Sequence, residues 1–212
     1  MSEFNKRFFT SILLISLVFL CLYNQFILVI FLFLVFLEII YEFNILLKKI
    51  FKGNKKILFF LILLIIFINS YSIFYIWLTL SSDIYINKIK LFLIVITTIS
   101  TDIGGYMFGK LLKGKKLSKL SPNKTYSGMF GSYIMSTFIT YLFFRNIINL
   151  NELIIYTLII STISQIGDLL ISFLKRKANI KDTGSILPGH GGVLDRLDGL
   201  LLAIPIGLIF LN

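Results

Sequence analysis

The chain has 212 residues, 57% of them hydrophobic, and a formal net charge of +11. That apolar share exceeds the roughly 45–50% of an ordinary soluble domain, and apolar runs of about 20 residues suit helices that cross a ~30 Å hydrocarbon core. The basic residues sit in short clusters between those runs, so the expected partner is the lipid bilayer and its phosphates and no nucleic acid. The one cysteine, Cys21, lies inside an apolar run, which leaves no disulfide framework and no metal–thiolate site.

In chain order, hydropathy predicts spans near 8–22, 25–45, 57–80, 89–109, 128–145, 153–174 and 194–211. The first follows a basic Met1–Arg7 segment and lacks a small-residue cleavage site, so it is expected to stay as an uncleaved anchor. The third holds Asn69-Ser70-Tyr71-Ser72 at its middle and reads either as one tilted crossing or as two short ones. The expected fold is therefore an all-α integral membrane protein, a polytopic helical bundle of about seven to eight transmembrane segments. Its N-terminal transmembrane region is 1–88 and its C-terminal catalytic region 89–212, within one integral domain. The basic loops Lys48–Lys56, Lys110–Lys124 and Lys175–Lys181 fall on one side if 57–80 crosses once. The excess of Lys and Arg makes that side cytoplasmic, with the N-terminus inside and the C-terminus outside.

The first half carries few polar anchors, whereas 12 of the 14 glycines, two of the three prolines and the only histidine lie between Gly104 and Gly199. In the fourth span Thr98, Asp102, Gly105 and Gly109 share a stripe, whose small residues permit close helix approach. In the sixth, Ser161, Ser164, Gln165, Asp168, Ser172 and Lys175 make one polar face. Ionisable groups inside spans are costly and usually functional, although a carboxylate paired with a neighbouring helix is the plain alternative for both aspartates. At the start of the last span Asp195 and Asp198, at i and i+3, share a helix face. With Asp102 and Asp168 nearby, such a pair repels itself unless a cation intervenes, and oxygen-only ligands favour Mg²⁺ over Zn²⁺.

Between Asp168 and Asp195 lies Ser172 with Lys175-Arg176, then Lys181-Asp182, then Pro188-Gly189-His190-Gly191-Gly192. The glycines leave backbone amides open to an anion, while the cations and His190 match phosphate. Ser121-Pro122-Asn123-Lys124-Thr125 offers a second, weaker phosphate contact through Ser121, Lys124 and Thr125. Arg196 stands out in a chain that otherwise prefers Lys, as a planar fork suited to phosphate.

The run from Ser172 to Asp198 resembles the signature of the phosphatidate cytidylyltransferase family: Ser, Lys-Arg, Lys-Asp, Pro-Gly-His-Gly-Gly and Asp-Arg-x-Asp in that order. Asp102-Ile-Gly-Gly-Tyr106-Met-Phe-Gly109-Lys110 and Ser121-Pro-Asn-Lys124-Thr125 are similar to upstream motifs of the same family. The resemblance implies an enzyme of the bacterial inner membrane, working as a homodimer, that transfers the cytidylyl group of CTP to phosphatidic acid. It implies a magnesium site, with room for a second cation, on Asp168 and Asp195, with Asp198 close by and Asp102 as a further ligand. Lys175, Arg176, Lys181 and Arg196 would meet phosphates, and Ser172, Asp182, His190, Gly191 and Gly192 would complete the substrate site. Ser127 stands where the family usually has Glu or Gln, and Ile171 where Glu is common. A CTP-dependent polyprenol or phytol kinase is the alternative enzyme. A non-enzymatic carrier explains the intramembrane carboxylates but not the Lys, Arg, Gly and His loop.

Overall fold

The computed structural model describes residues 25–50, 84–117, 124–186 and 191–211, with Ile12, Ser16 and Leu20. Among the described residues it is all-helical: α1 Gln25–Ile50, α2 Ile84–Leu112, α3 Tyr126–Phe144, α4 Leu150–Lys177, α5 Leu194–Leu197 and α6 Leu200–Phe210. Four predicted spans correspond to α1 to α4. Among the described residues two helices are long and apolar enough to cross a membrane, within Ile89–Leu112 and over Leu150–Lys177. Most of span 8–22, Cys21 and the whole of 57–80 lie outside the described residues.

The last predicted span, 194–211, is not one helix. The helical run stops at Leu197, turns through Asp198 and Gly199, and resumes at Leu200. Its 11-residue α6 is about 16 Å long, short of a full crossing. The expectation that Asp195 and Asp198 sit on one helical face is corrected accordingly, since α5 ends before Asp198.

The chain divides into two compact units, residues 1–68 with 174–197, and 69–173 with 198–212. In the second, α2, α3 and α4 place small hydroxyl residues inside and large apolar ones outside. Thr97, Thr98, Thr101, Ser136, Thr140 and Ser161 are buried, whereas Phe130, Ile134 and Phe138 on successive turns of α3 are 61%, 60% and 57% exposed. An apolar exterior of this kind is matched to lipid rather than water. Most of the buried hydroxyls bond within the bundle, Ser164 Oγ being the buried one without a partner among the described residues. Thr97 donates to the Leu93 carbonyl at 2.7 Å, Thr101 to Ser161 at 2.9 Å and Ser132 to the Thr101 carbonyl at 2.8 Å. Each such bond between helices contributes about 0.6 kcal/mol in lipid.

Glycine sets the spacing of α2 against α3, as the stripe through Gly105 and Gly109 predicts. A Cβ at Gly104 would lie 2.6 Å from the Gly131 carbonyl oxygen, and one at Gly105 2.8 Å from Ser132 Oγ. The α6 helix packs the same way, since a Cβ at Gly207 would meet the Ile94 side chain at 3.0 Å.

In the first unit, α1 turns Ile30, Leu34, Leu37 and Tyr41 outward and buries Ile39, Glu42, Leu46 and Leu47. The end of α4 is closed by Asn179 at φ 54°, with Asn179 N–H donating to Arg176 O and Ile180 N–H to Lys175 O. Asparagine tolerates this left-handed position, so the chain leaves the helix sharply just after Lys175-Arg176-Lys177.

Candidate active site

Within the second unit, α4 supplies Asp168, α2 supplies Asp102 and the turn before α6 supplies Asp198. Asp198, Asp168 and Asp102 lie close enough to interact electrostatically, and Lys124 stands near Asp102. The turn is pressed tightly onto α4, because a Cβ at Gly167 would lie 2.6 Å from the Asp198 carbonyl oxygen and one at Gly199 2.6 Å from Ser164 Oγ. Ser172 Oγ donates to Asp168 Oδ1 at 3.4 Å, one turn further along the predicted polar face.

Lys124 arrives from the loop between α2 and α3. That loop folds back on itself through Leu117 N–H to Lys124 O at 2.8 Å and Tyr126 N–H to Lys115 O at 3.1 Å. Lys124 then pairs with Asp168. The next residue, Thr125, caps α3 by accepting from the Gly128 N–H at 3.1 Å, a role the sequence reading did not give it. Ser127, in the family's carboxylamide or carboxylate position, bonds the Lys113 carbonyl and meets Thr125 Oγ1 at 2.9 Å. It closes the loop on itself.

The first unit gathers a second set around Asp195. Lys175 Nζ donates to Asp195 Oδ1 at 2.8 Å, while Oδ2 accepts from Thr183 N–H at 2.8 Å and Gly192 N–H at 3.0 Å. Burial pushes the Asp195 pKa up, but the Lys175 ammonium and these two amides outweigh it and hold the carboxyl below its ordinary value. Gly191 at φ 85° is required here. A side chain there would be strained, and its Cβ would come within 3.0 Å of Asp195 Oδ2 and 3.5 Å of Asp182 Cβ. Arg176, Lys181, Asp182 and Arg196 are exposed, and Arg196 has an interaction of its own. Ser121 and His190 lie outside the described residues.

Sequence reasoning missed Glu42. Its side chain is 1% exposed, and its carboxylate holds the loop that carries Asp195. The available signal was an acidic pair, Glu38 and Glu42, inside an apolar run.

A divalent cation suits the second unit in donor type. Asp102, Asp168 and Asp198 offer only oxygen, and among the described residues Lys124 is the cation paired with them, through Asp168. Among the described residues no three potential ligands are gathered closely enough to hold one ion. Three carboxyl groups drawn toward one another are nonetheless the donor type a hard cation prefers.

Among the described residues the fold is all-helical, the second unit turns apolar side chains outward and holds a carboxylate cluster, and the first unit holds a basic, glycine-lined loop. The family model for the cytidylyltransferase family matches residues 1–212, and the chain belongs to that family. It is 44% identical over 110 residues to a phosphatidate cytidylyltransferase of Staphylococcus haemolyticus, covering 50% of this chain and 42% of that one. The corresponding protein of Rickettsia bellii is 44% identical over 126 residues, 53% of each chain, and that of Bacillus subtilis 43% over 110 residues, 50% and 41%. The chain spans about half the length of the curated relatives it matches.

Proposed function

We propose that this protein is a phosphatidate cytidylyltransferase of the bacterial inner membrane. It would transfer the cytidylyl group of CTP to phosphatidic acid, giving CDP-diacylglycerol and pyrophosphate for phospholipid synthesis. The observation that carries the reading is the carboxylate cluster of Asp102, Asp168 and Asp198, with Lys124 beside it, in a bundle with an apolar exterior. The names of its relatives agree with it.

A phosphatidate oxygen attacks the α-phosphorus of CTP and pyrophosphate leaves. A phosphate dianion is already a competent nucleophile, so the protein's contribution is positioning and charge neutralisation. Mg²⁺, when bound, supplies charge neutralisation at the reacting phosphates. Asp168 is the ligand best supported, with Asp102 and Asp198 beside it. Asp195, the other ligand expected from the family, has oxygens engaged by Lys175, Thr183 and Gly192. Lys175, Arg176, Lys181 and Arg196, with Asp182, His190 and the Gly191 amide, hold the triphosphate and the departing pyrophosphate, while Gly192 keeps the loop bare of side chain and gives its own amide to Asp195. Ser121, Lys124, Thr125 and Ser172 complete the substrate side.

Incubating purified protein with radiolabelled CTP, phosphatidate and Mg²⁺, followed by lipid extraction, tests the reading. A CDP-lipid with pyrophosphate supports it. CDP with a phosphorylated lipid alcohol, when polyprenol or phytol replaces phosphatidate, would replace it with the kinase reading.

The proposal includes a homodimer, about seven to eight spans and cytoplasmic basic loops. In a Cys21→Ser background, cysteines placed at Lys52 and Lys115 should react only with reagents that enter the cell. Labelling of one from outside and the other from inside would overturn a single crossing by 57–80.

Arg196→Lys should lower kcat/KM severalfold to about 100-fold, because a point charge does not make the paired contacts of a guanidinium on phosphate. Unchanged kinetics toward both CTP and phosphatidate would reduce Arg196 to a counter-ion.

A further inference from the structure

We infer that Glu42 is a positioning residue for the phosphate-binding loop, acting through Thr183, Val193 and Leu194 to fix Asp195 and thereby Lys175. The inference rests on the proposed function for its catalytic consequence, but its geometry stands alone.

Glu42 is an ionisable residue inside an apolar helix and is 1% exposed, an expensive placement without compensation. Three donors compensate it. Glu42 Oε2 accepts from Thr183 Oγ1 at 2.6 Å and from Leu194 N–H at 2.9 Å, and Oε1 accepts from Val193 N–H at 2.9 Å. All three come from the segment that begins after Asp182 and ends at α5. The carboxylate thus joins the two ends of the glycine-rich loop to α1.

The glycines on either side are shaped to admit it. A Cβ at Gly184 would lie 2.5 Å from Glu42 Oε1, and one at Gly192 2.5 Å from both Glu42 oxygens. The carboxylate therefore sits against bare backbone at both places, and glycine in this loop serves the anchor as well as an incoming anion.

From this anchor the contacts run on to the charged residues. Thr183 Oγ1 lies 3.1 Å from Asp195 Oδ2 as well as 2.6 Å from Glu42 Oε2, so one hydroxyl stands between the two carboxylates. Its single proton belongs to the shorter contact with Glu42, while the Thr183 N–H holds Asp195. Asp195 in turn holds Lys175 at 2.8 Å. Removing an acceptor at Glu42 leaves a buried donor unmet and frees the loop to move. Lys175, whose side chain is 17% exposed, then loses its fixed partner.

The test uses the full-length protein in detergent, with two readouts. The first is competitive acetylation of lysines by acetic anhydride, read residue by residue by mass spectrometry, with Lys48 on the same α1 helix as internal reference. Glu42→Gln keeps size but offers one acceptor in place of two, and Thr183→Val removes the hydroxyl. Each should raise Lys175 acetylation severalfold relative to Lys48, and Thr183→Ser should return it to the wild-type ratio. The second is cytidylyl transfer, where Glu42→Gln should lower kcat about 10-fold or more. A Glu42→Gln/Thr183→Val double variant should fall no further than the worse single, as expected for residues acting through one network. A wild-type Lys175 ratio in both single variants would overturn the inference, whatever the activity. Altered acetylation in a protein whose wild type transfers no cytidylyl group would leave the positioning intact and sink the proposed function instead. If Glu42→Gln does not accumulate, Thr183→Val alone carries the labelling test.

Discussion

Asp168→Asn should lower turnover at least ~100-fold, about 2.7 kcal/mol in the activation barrier, with insertion and helix packing unchanged. The substitution keeps volume and removes one charge. Asp168 is where the most contacts of the cluster converge: Lys124 pairs with it, Ser172 donates to it, and Asp102 and Asp198 feel its charge. Without its charge Lys124 loses its ion-pair partner, and under the proposed function the metal loses a ligand. Asp195→Asn should fall comparably for a different reason. An Asn side chain presents an amide NH₂ where Lys175 or the two backbone amides now donate, so one of those donors is left facing another. Turnover measured at matched expression decides both, and near wild-type activity in Asp168→Asn would remove that residue from the metal site. Restoration of Asp168→Asn by high Mg²⁺ would instead mark a loss of affinity rather than of chemistry.

The polar faces of α2 and α4 were legible in the sequence because helical period and the cost of polar groups in lipid act on each helix separately. Thr98, Gly105 and Gly109 are where that reasoning put them, and Asp168 with Ser172 lies on the expected stripe. What was not legible required knowing which distant segments meet. The partnership of Lys124 with Asp168 depends on a loop folded by backbone hydrogen bonds, which leave no mark in composition. Thr125 also caps α3, a role the sequence reading did not give it, and the Ser/Thr preference at that position was the overlooked cue. The break after Leu197 escaped hydropathy because Leu194 to Phe210 is apolar enough to average over Asp195 and Asp198. Glu42 escaped because its partners are 141 to 152 residues away. An acid in an apolar run signals a partner without saying which one.

Gly104→Leu should prevent the second unit from assembling, and Gly104→Ala should weaken it measurably. At Gly104 a Cβ would come 2.6 Å from both the Gly131 carbonyl oxygen and the Met135 Cβ, and 3.1 Å from the Gly131 carbonyl carbon. All three atoms are fixed to the α3 backbone, so no change of rotamer relieves the clash. The helices must part by roughly 1 Å to restore ordinary contact. Overpacking of this kind costs about 1–3 kcal/mol for a small increment and more for Leu. Parting the helices would also stretch the Ser132 to Thr101 hydrogen bond that crosses them at 2.8 Å. The neighbouring Ile103 supplies the control, because it is exposed on the outer face and Ile103→Leu should be nearly neutral. Thermal inactivation midpoints in detergent should fall by roughly 2–10 °C for Gly104→Ala, and Gly104→Leu should not accumulate as folded protein. Asp102 sits half a turn before Gly104 on α2, so activity at permissive temperature should fall along with stability in Gly104→Ala. A Gly104→Ala protein as stable and as active as wild type would mean that α2 and α3 are not held at the spacing their glycines allow.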